Sequence, residues 1–116
     1  MSRQIRVEVK PEVILWPAHF YSYHVGLMLR TVENNWPEES DLIVITRGAE
    51  AVPTGAPRSK HLIGKAFDFR TKHLPPEVDR EALVKRILND SLLGMDYWGY
   101  WKKNEVTEWM HLDYRR

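Results

Sequence analysis

The sequence predicts an α+β domain, a small antiparallel sheet with two main helices. Two kinds of segment carry that expectation. Phe20–Trp36 and the stretch after Pro76 repeat apolar residues at helical spacing, whereas Met1–Lys10, Leu42–Thr46, Lys65–Arg70, Met95–Lys103 and Val106–Tyr114 are short apolar or alternating runs of strand type. These segments follow one another in mixed order and show no internal repeat. With 116 residues and 43% hydrophobic content, the chain is sized for one core, so residues 1–116 are read as a single domain.

Each element has its own justification. In Met1–Lys10, Ile5, Val7 and Val9 alternate with Arg6, Glu8 and Lys10, a strand pattern and not the apolar run of a secretion signal. Tyr21, Val25, Met28, Leu29, Val32 and Trp36 form the stripe of the first helix, which Pro37 fits to end. His24 lies on or beside that stripe and reads as a packed or partly exposed histidine rather than a ligand, as do His19 and His73. Leu42–Thr46 is a short buried strand, followed by a loop through Pro53, Gly55 and Pro57. In Lys65–Arg70 a period of two sends Phe67 and Phe69 into the core and Ala66, Asp68 and Arg70 to the other face.

After Pro75 and Pro76, with Pro76 in the first turn, Val78, Ala82, Leu83, Ile87 and Leu88 make the inner stripe of the second helix. Gly94 breaks to an aromatic strand, which leads by a turn at Asn104 into the last one. There, Trp109, His111 and Asp113 share one face, and Met110, Leu112 and Tyr114 share the other. Glu108 falls opposite His111 in an ideal strand, so a site using both needs a bend or bulge at the strand's start.

Ser59-Lys-His61-Leu-Ile-Gly64-Lys-Ala66-Phe-Asp68 and Glu108-Trp-Met-His111 together read as a divided metal site. Two imidazoles and a carboxylate leave Zn²⁺ an open position for water, the arrangement of a catalytic zinc, with Glu108 left over to move protons. Gly64 lets the chain fold back between His61 and Asp68. Ala66 beside Asp68 leaves room for the ion.

The pattern Ser-x-His-x-x-Gly-x-Ala-x-Asp followed by Glu-x-x-His resembles the M15 zinc peptidases, the D-alanyl-D-alanine peptidases and dipeptidases and the phage L-alanoyl-D-glutamate endolysins, related in fold to the hedgehog signalling domain. The resemblance spans Ile43 to Tyr114. It implies zinc ligands at His61, Asp68 and His111, Glu108 as general base, and a fold of the hedgehog/DD-peptidase type. It also implies an upstream arginine that holds the substrate carbonyl or developing oxyanion. Arg47, at the end of the Leu42–Thr46 run, is the best match, although Ile45 and Thr46 depart from the usual preceding pair; Arg58, next to Ser59, competes for the role. Ser59 and Trp109 join Arg47 as candidate substrate contacts.

Composition narrows the partners. A net charge of +1 without a dense basic tract makes no case for nucleic acid or an anionic membrane surface. The absence of cysteine excludes disulfides and thiolate ligands. Without a signal peptide, the protein is expected to be made in the cytoplasm, and an enzyme against the cell wall then needs release by lysis or a phage holin. Among the five tryptophans, Trp98, Trp101 and Trp109 are candidate groove walls, and the duller reading is that most fill the core. Asp113 reads either as a carboxylate orienting a ligand imidazole or as a partner of Arg115.

Three functions follow: a zinc peptidase acting on peptidoglycan stem peptides, a non-catalytic zinc domain of the same fold that binds a partner, and a plain interaction module.

Overall fold

A computed structural model describes residues 4–11, 23–48 and 65–115. Its elements run β1 (Arg6–Val9), α1 (Tyr23–Asn35), β2 (Leu42–Arg47), β3 (Ala66–Arg70), α2 (Arg80–Leu88), β4 (Tyr97–Lys103) and β5 (Glu108–Tyr114). The strands form one five-stranded sheet in the order β1-β2-β3-β5-β4. The α+β class with two helices stands as expected; the all-antiparallel sheet does not. β1 pairs with β2 in parallel, Arg6 opposite Leu42 and Val9 opposite Ile45, while the remaining pairs are antiparallel. The physical reason is the helix between them. A strand that must run beside its predecessor in the same direction needs a long crossover, and α1 occupies that connection.

One sheet face packs on the helices. Ile43, Ile45, Phe67, Phe69, Met110 and Leu112 meet Val25, Met28 and Val32 of α1 and Leu83, Val84 and Ile87 of α2 in one buried cluster. Each large apolar side chain so buried contributes roughly 1.5–3 kcal/mol. The period-two reading of β3 and β5 thus holds in its core-facing half. Trp101 packs against this cluster from β4, as the core-filling alternative had it.

Helix α2 begins later than its apolar pattern suggested. The Asp79 side chain accepts a hydrogen bond from the Ala82 backbone N–H and caps the helix, so Pro75 and Pro76 lie in the preceding turns. Val84, not Ala82, completes the buried stripe. The hairpin from β4 to β5 is fixed by Asn104, whose Oδ1 accepts from the backbone N–H groups of Val106 and Thr107. Gly99 of β4 passes so close to β5 that a Cβ there would stand 2.5 Å from the His111 carbonyl oxygen. None of the helices among the described residues is long and apolar enough to cross a membrane.

Candidate metal site and cleft

The opposite face of the sheet gathers the polar residues. Register places Asp68 of β3 directly across from His111 of β5, and His111 across from Tyr100 of β4. Sequence separation of 43 residues between Asp68 and His111 is thereby closed to a contact: His111 Nδ1 lies 2.7 Å from Asp68 Oδ1. The other ring nitrogen, Nε2, lies 2.8 Å from Asp113 Oδ2. Asp113 also forms a 3.2 Å ion pair with Arg115, so both partners expected for it are present. All three of Asp68, His111 and Asp113 are buried.

The imidazole is walled by rings. Tyr100 stacks on it at 4.9 Å between centroids, and Trp98 meets it edge-on at 6.2 Å. Burial works against a charged imidazole, but hydrogen bonds to Asp113 and Asp68 and their negative charges outweigh it, and the His111 pKa rises above its ordinary value. A carboxylate oxygen lies within hydrogen-bond distance of each ring nitrogen, so the site supports the imidazolium form more than water does. Burial, the nearby Asp68 and Asp113 charges against that of Arg47, keep the Tyr100 hydroxyl protonated well into the alkaline range.

Arg47 reaches this face through an irregularity. Ile45 pairs with Phe69 but Arg47 pairs with Asp68, so one extra residue is accommodated at Thr46. Without that bulge, Arg47 would follow Ile45 towards the core. With it, Arg47 Nη1 lies 3.6 Å from Asp68 Oδ2.

Glu108 lies elsewhere. The β4–β5 register is continuous from Lys103–Glu108 to Tyr97–Tyr114, so the bulge that would turn Glu108 towards His111 is not at that strand's start. Its carboxylate instead accepts from Arg80 Nε at 2.9 Å. Burial raises the Glu108 pKa, but the Thr71 hydroxyl, the Arg80 guanidinium and the Trp101 indole favour the charged form, and the balance falls below the ordinary carboxylate value. Thr71 Oγ1 and Trp101 Nε1 stand close without completing hydrogen bonds, which leaves Arg80 as the charged donor in contact.

A cleft of about 650 Å³ runs along the polar face, lined among others by Arg47, Asp68, Arg70, Tyr100, Glu108 and Trp109. His61, Ser59, Arg58 and Gly64 lie outside the described residues. Among the described residues no group of three or more His, Asp or Glu side chains is placed to hold a metal ion. Asp68 and His111 supply a compatible pair of donors nonetheless. Zn–N of about 2.0–2.1 Å and Zn–O of about 2.0–2.2 Å in a tetrahedral site put donor atoms roughly 3.4 Å apart. The 2.7 Å contact is a hydrogen bond, and admitting zinc requires loss of the Nδ1 proton and roughly 0.7 Å of side-chain separation, with Nε2 still held by Asp113.

Two residues that sequence reasoning passed over belong to this picture. Tyr100 follows from the hairpin register once the Asn104 turn is counted outward, so that signal was present. Arg80 had none, because its partners, the Glu108 carboxylate and four backbone carbonyls, are brought together only by the fold.

Comparisons of the chain with protein-family models, with curated proteins and with solved structures find no match.

Proposed function

We propose that this chain is a zinc-dependent metallopeptidase that hydrolyses an amide bond in peptidoglycan stem peptides, of the L-Ala-D-Glu endopeptidase or the D-Ala-D-Ala carboxypeptidase or dipeptidase type. One observation carries the reading. Asp68 and His111, both assigned as ligands by the resemblance to the M15 peptidases, face each other across adjacent strands with His111 Nδ1 at 2.7 Å from Asp68 Oδ1 and its other nitrogen held by a carboxylate.

In this proposal His61, Asp68 and His111 hold the ion, which when bound would polarise a carbonyl and bring the pKa of a water towards neutrality. Asp113 keeps the Nε2 proton on His111 and so presents Nδ1 as a donor. Arg47, which lines the cleft beside Asp68, offers its guanidinium to the oxygen on which negative charge develops. Trp109 lines the same cleft, and Ser59 is a further substrate contact. Glu108 accepts the proton of the attacking water. To act there, its carboxylate must leave Arg80. A protein made in the cytoplasm would reach such a substrate after lysis or through a holin.

The engagement of Glu108 by Arg80 favours a second reading, a non-catalytic zinc-binding domain of the same fold that docks a partner. Metal content, together with release of new amino groups from purified peptidoglycan, separates the two. One zinc in wild type and in Glu108→Gln, with cleavage by wild type only, supports the peptidase. Zinc in both proteins without cleavage by either favours the binding domain, and no zinc in either overturns both readings.

A further inference from the structure

The cleft beside Asp68 and His111 is unevenly charged. Lys10, Arg47, Arg70 and Lys72 line it, against Asp68 and Glu108. Both carboxylates are engaged, Asp68 by His111 and Arg47 and Glu108 by Arg80. The cations at the far end are not comparably neutralised. Arg70 forms no ion pair or side-chain hydrogen bond among the described residues, and Lys72 spends one Nζ donor on the Val106 carbonyl at 2.8 Å. Arg70 follows Asp68 by two positions on β3, stands opposite Trp109 on β5, and is partly buried. A guanidinium that is partly withdrawn from water and has no carboxylate partner among the described residues is suited to an arriving carboxylate, which its planar fork binds through two hydrogen bonds.

We infer that the Arg70–Lys72 end of this cleft is an anion subsite, and that the ligands of the cleft are peptides carrying a carboxylate within about two residues of the bond presented to Asp68 and His111. The spacing follows from strand geometry. Two residues of β3 separate Asp68 from Arg70 by roughly 7 Å, and an extended peptide lying along the strand advances by about the same length in two residues. Lys10 adds charge and forms no ion pair among the described residues, and Trp109, opposite Arg70 on β5, lines the cleft beside the subsite. This inference rests on the peptidase reading for the identity of the bond, although carboxylate binding is measurable without turnover. The carboxylate is either a chain terminus or an acidic side chain, and suitable peptides distinguish these sources.

The experiment titrates tryptophan fluorescence of the zinc-loaded protein with acetyl-L-Lys-D-Ala-D-Ala, with its C-terminal amide, and with acetyl-L-Ala-D-Glu-L-Ala amide, whose only carboxylate is a side chain. It is run on wild type, the Arg70→Gln/Lys72→Gln double variant, and Lys85→Gln/Arg86→Gln as a charge-matched control on α2. At least one acid should bind wild type and the control about 10-fold more tightly than the neutral amide, and the double variant should lose that preference. The acid that shows the preference identifies the source. Equal binding of acids and amide by wild type, no binding of any of them, or a preference that survives in the double variant overturns the subsite. Cleavage of the same peptides is scored separately. A carboxylate preference without cleavage tells against the peptidase while the subsite stands, and cleavage without the preference removes the subsite alone.

Discussion

Arg80 donates to Glu108 across 28 residues of sequence at 2.9 Å, and its remaining four N–H groups reach the carbonyl oxygens of Thr71, Leu74, Pro75 and Val78. All five guanidinium donors are used, so a single side chain ties the turns after β3 to the start of β5. The arrangement needs a planar fork, which an ammonium does not supply. Arg80→Gln should therefore lower stability by about 3 kcal/mol in urea unfolding, with Arg80→Lys recovering only a small part. A loss within 0.5 kcal/mol would mean that the loop holds itself.

The same pair sets an acid-side pH dependence. The folded Glu108 pKa lies below its ordinary value because Thr71, Arg80 and Trp101 outweigh its burial, so Glu108 contributes stability above its unfolded pKa that is lost as pH falls through the folded one. Unfolding measured from pH 6 down to pH 3 should show a shallower decline in Glu108→Gln than in wild type.

His111 carries the opposite sign. Burial lowers its pKa but the carboxylates of Asp113 and Asp68 raise it further, so the folded value exceeds the unfolded one. Its contribution is complete below the unfolded pKa of about 6.5 and is lost as pH rises through the folded value. Metal-free protein, kept so with chelator, should lose stability between neutral and alkaline pH, and His111→Gln should remove most of that slope. If zinc binds as proposed, it would displace the Nδ1 proton, and metal addition should then release protons in the same window, measurable with an indicator dye.

Asp113 is testable apart from catalysis. With Nε2 of His111 bonded to Asp113 at 2.8 Å, Asp113→Asn weakens the constraint on the ring and its basicity. Zinc affinity in a chelator competition should fall about 10- to 100-fold without loss of the fold. An unchanged affinity would place the metal, if any, away from His111.

Gly99 governs the distance between β4 and β5 beside the site. A Cβ at that position would stand 2.5 Å from both the His111 carbonyl oxygen and Leu112 Cδ2. Gly99→Ala should cost about 1–3 kcal/mol and disturb the stacking of Tyr100 on His111, visible as a changed ring environment in NMR spectra. Normal stability with unperturbed His111 resonances would show that the strands part without strain.

Local chemistry was legible where one residue's role is set by its neighbours in sequence. Alternation in Lys65–Arg70 placed Phe67 and Phe69 inside and Asp68 opposite, and the same rule put His111 and Asp113 on one face of β5, since side chains of a strand alternate whatever the strand pairs with. The Asn104 turn and the Gly94 break were equally local. The boundaries of α2 were not, because a cap at Asp79 overrode an apolar pattern that extended further upstream.

By itself the sequence determined the class of fold and the faces of β3 and β5, with Asp68 on one face of β3 and His111 and Asp113 together on one face of β5. Pairing was decided by the tertiary structure: the parallel partnership of β1 with β2, the bulge at Thr46 that turns Arg47 towards Asp68, and the unbroken register that leaves Glu108 with Arg80. The division has a physical cause. Which way a side chain faces depends on backbone periodicity over a few residues, whereas which side chain it meets depends on register between segments distant in sequence, where a one-residue slip exchanges the faces.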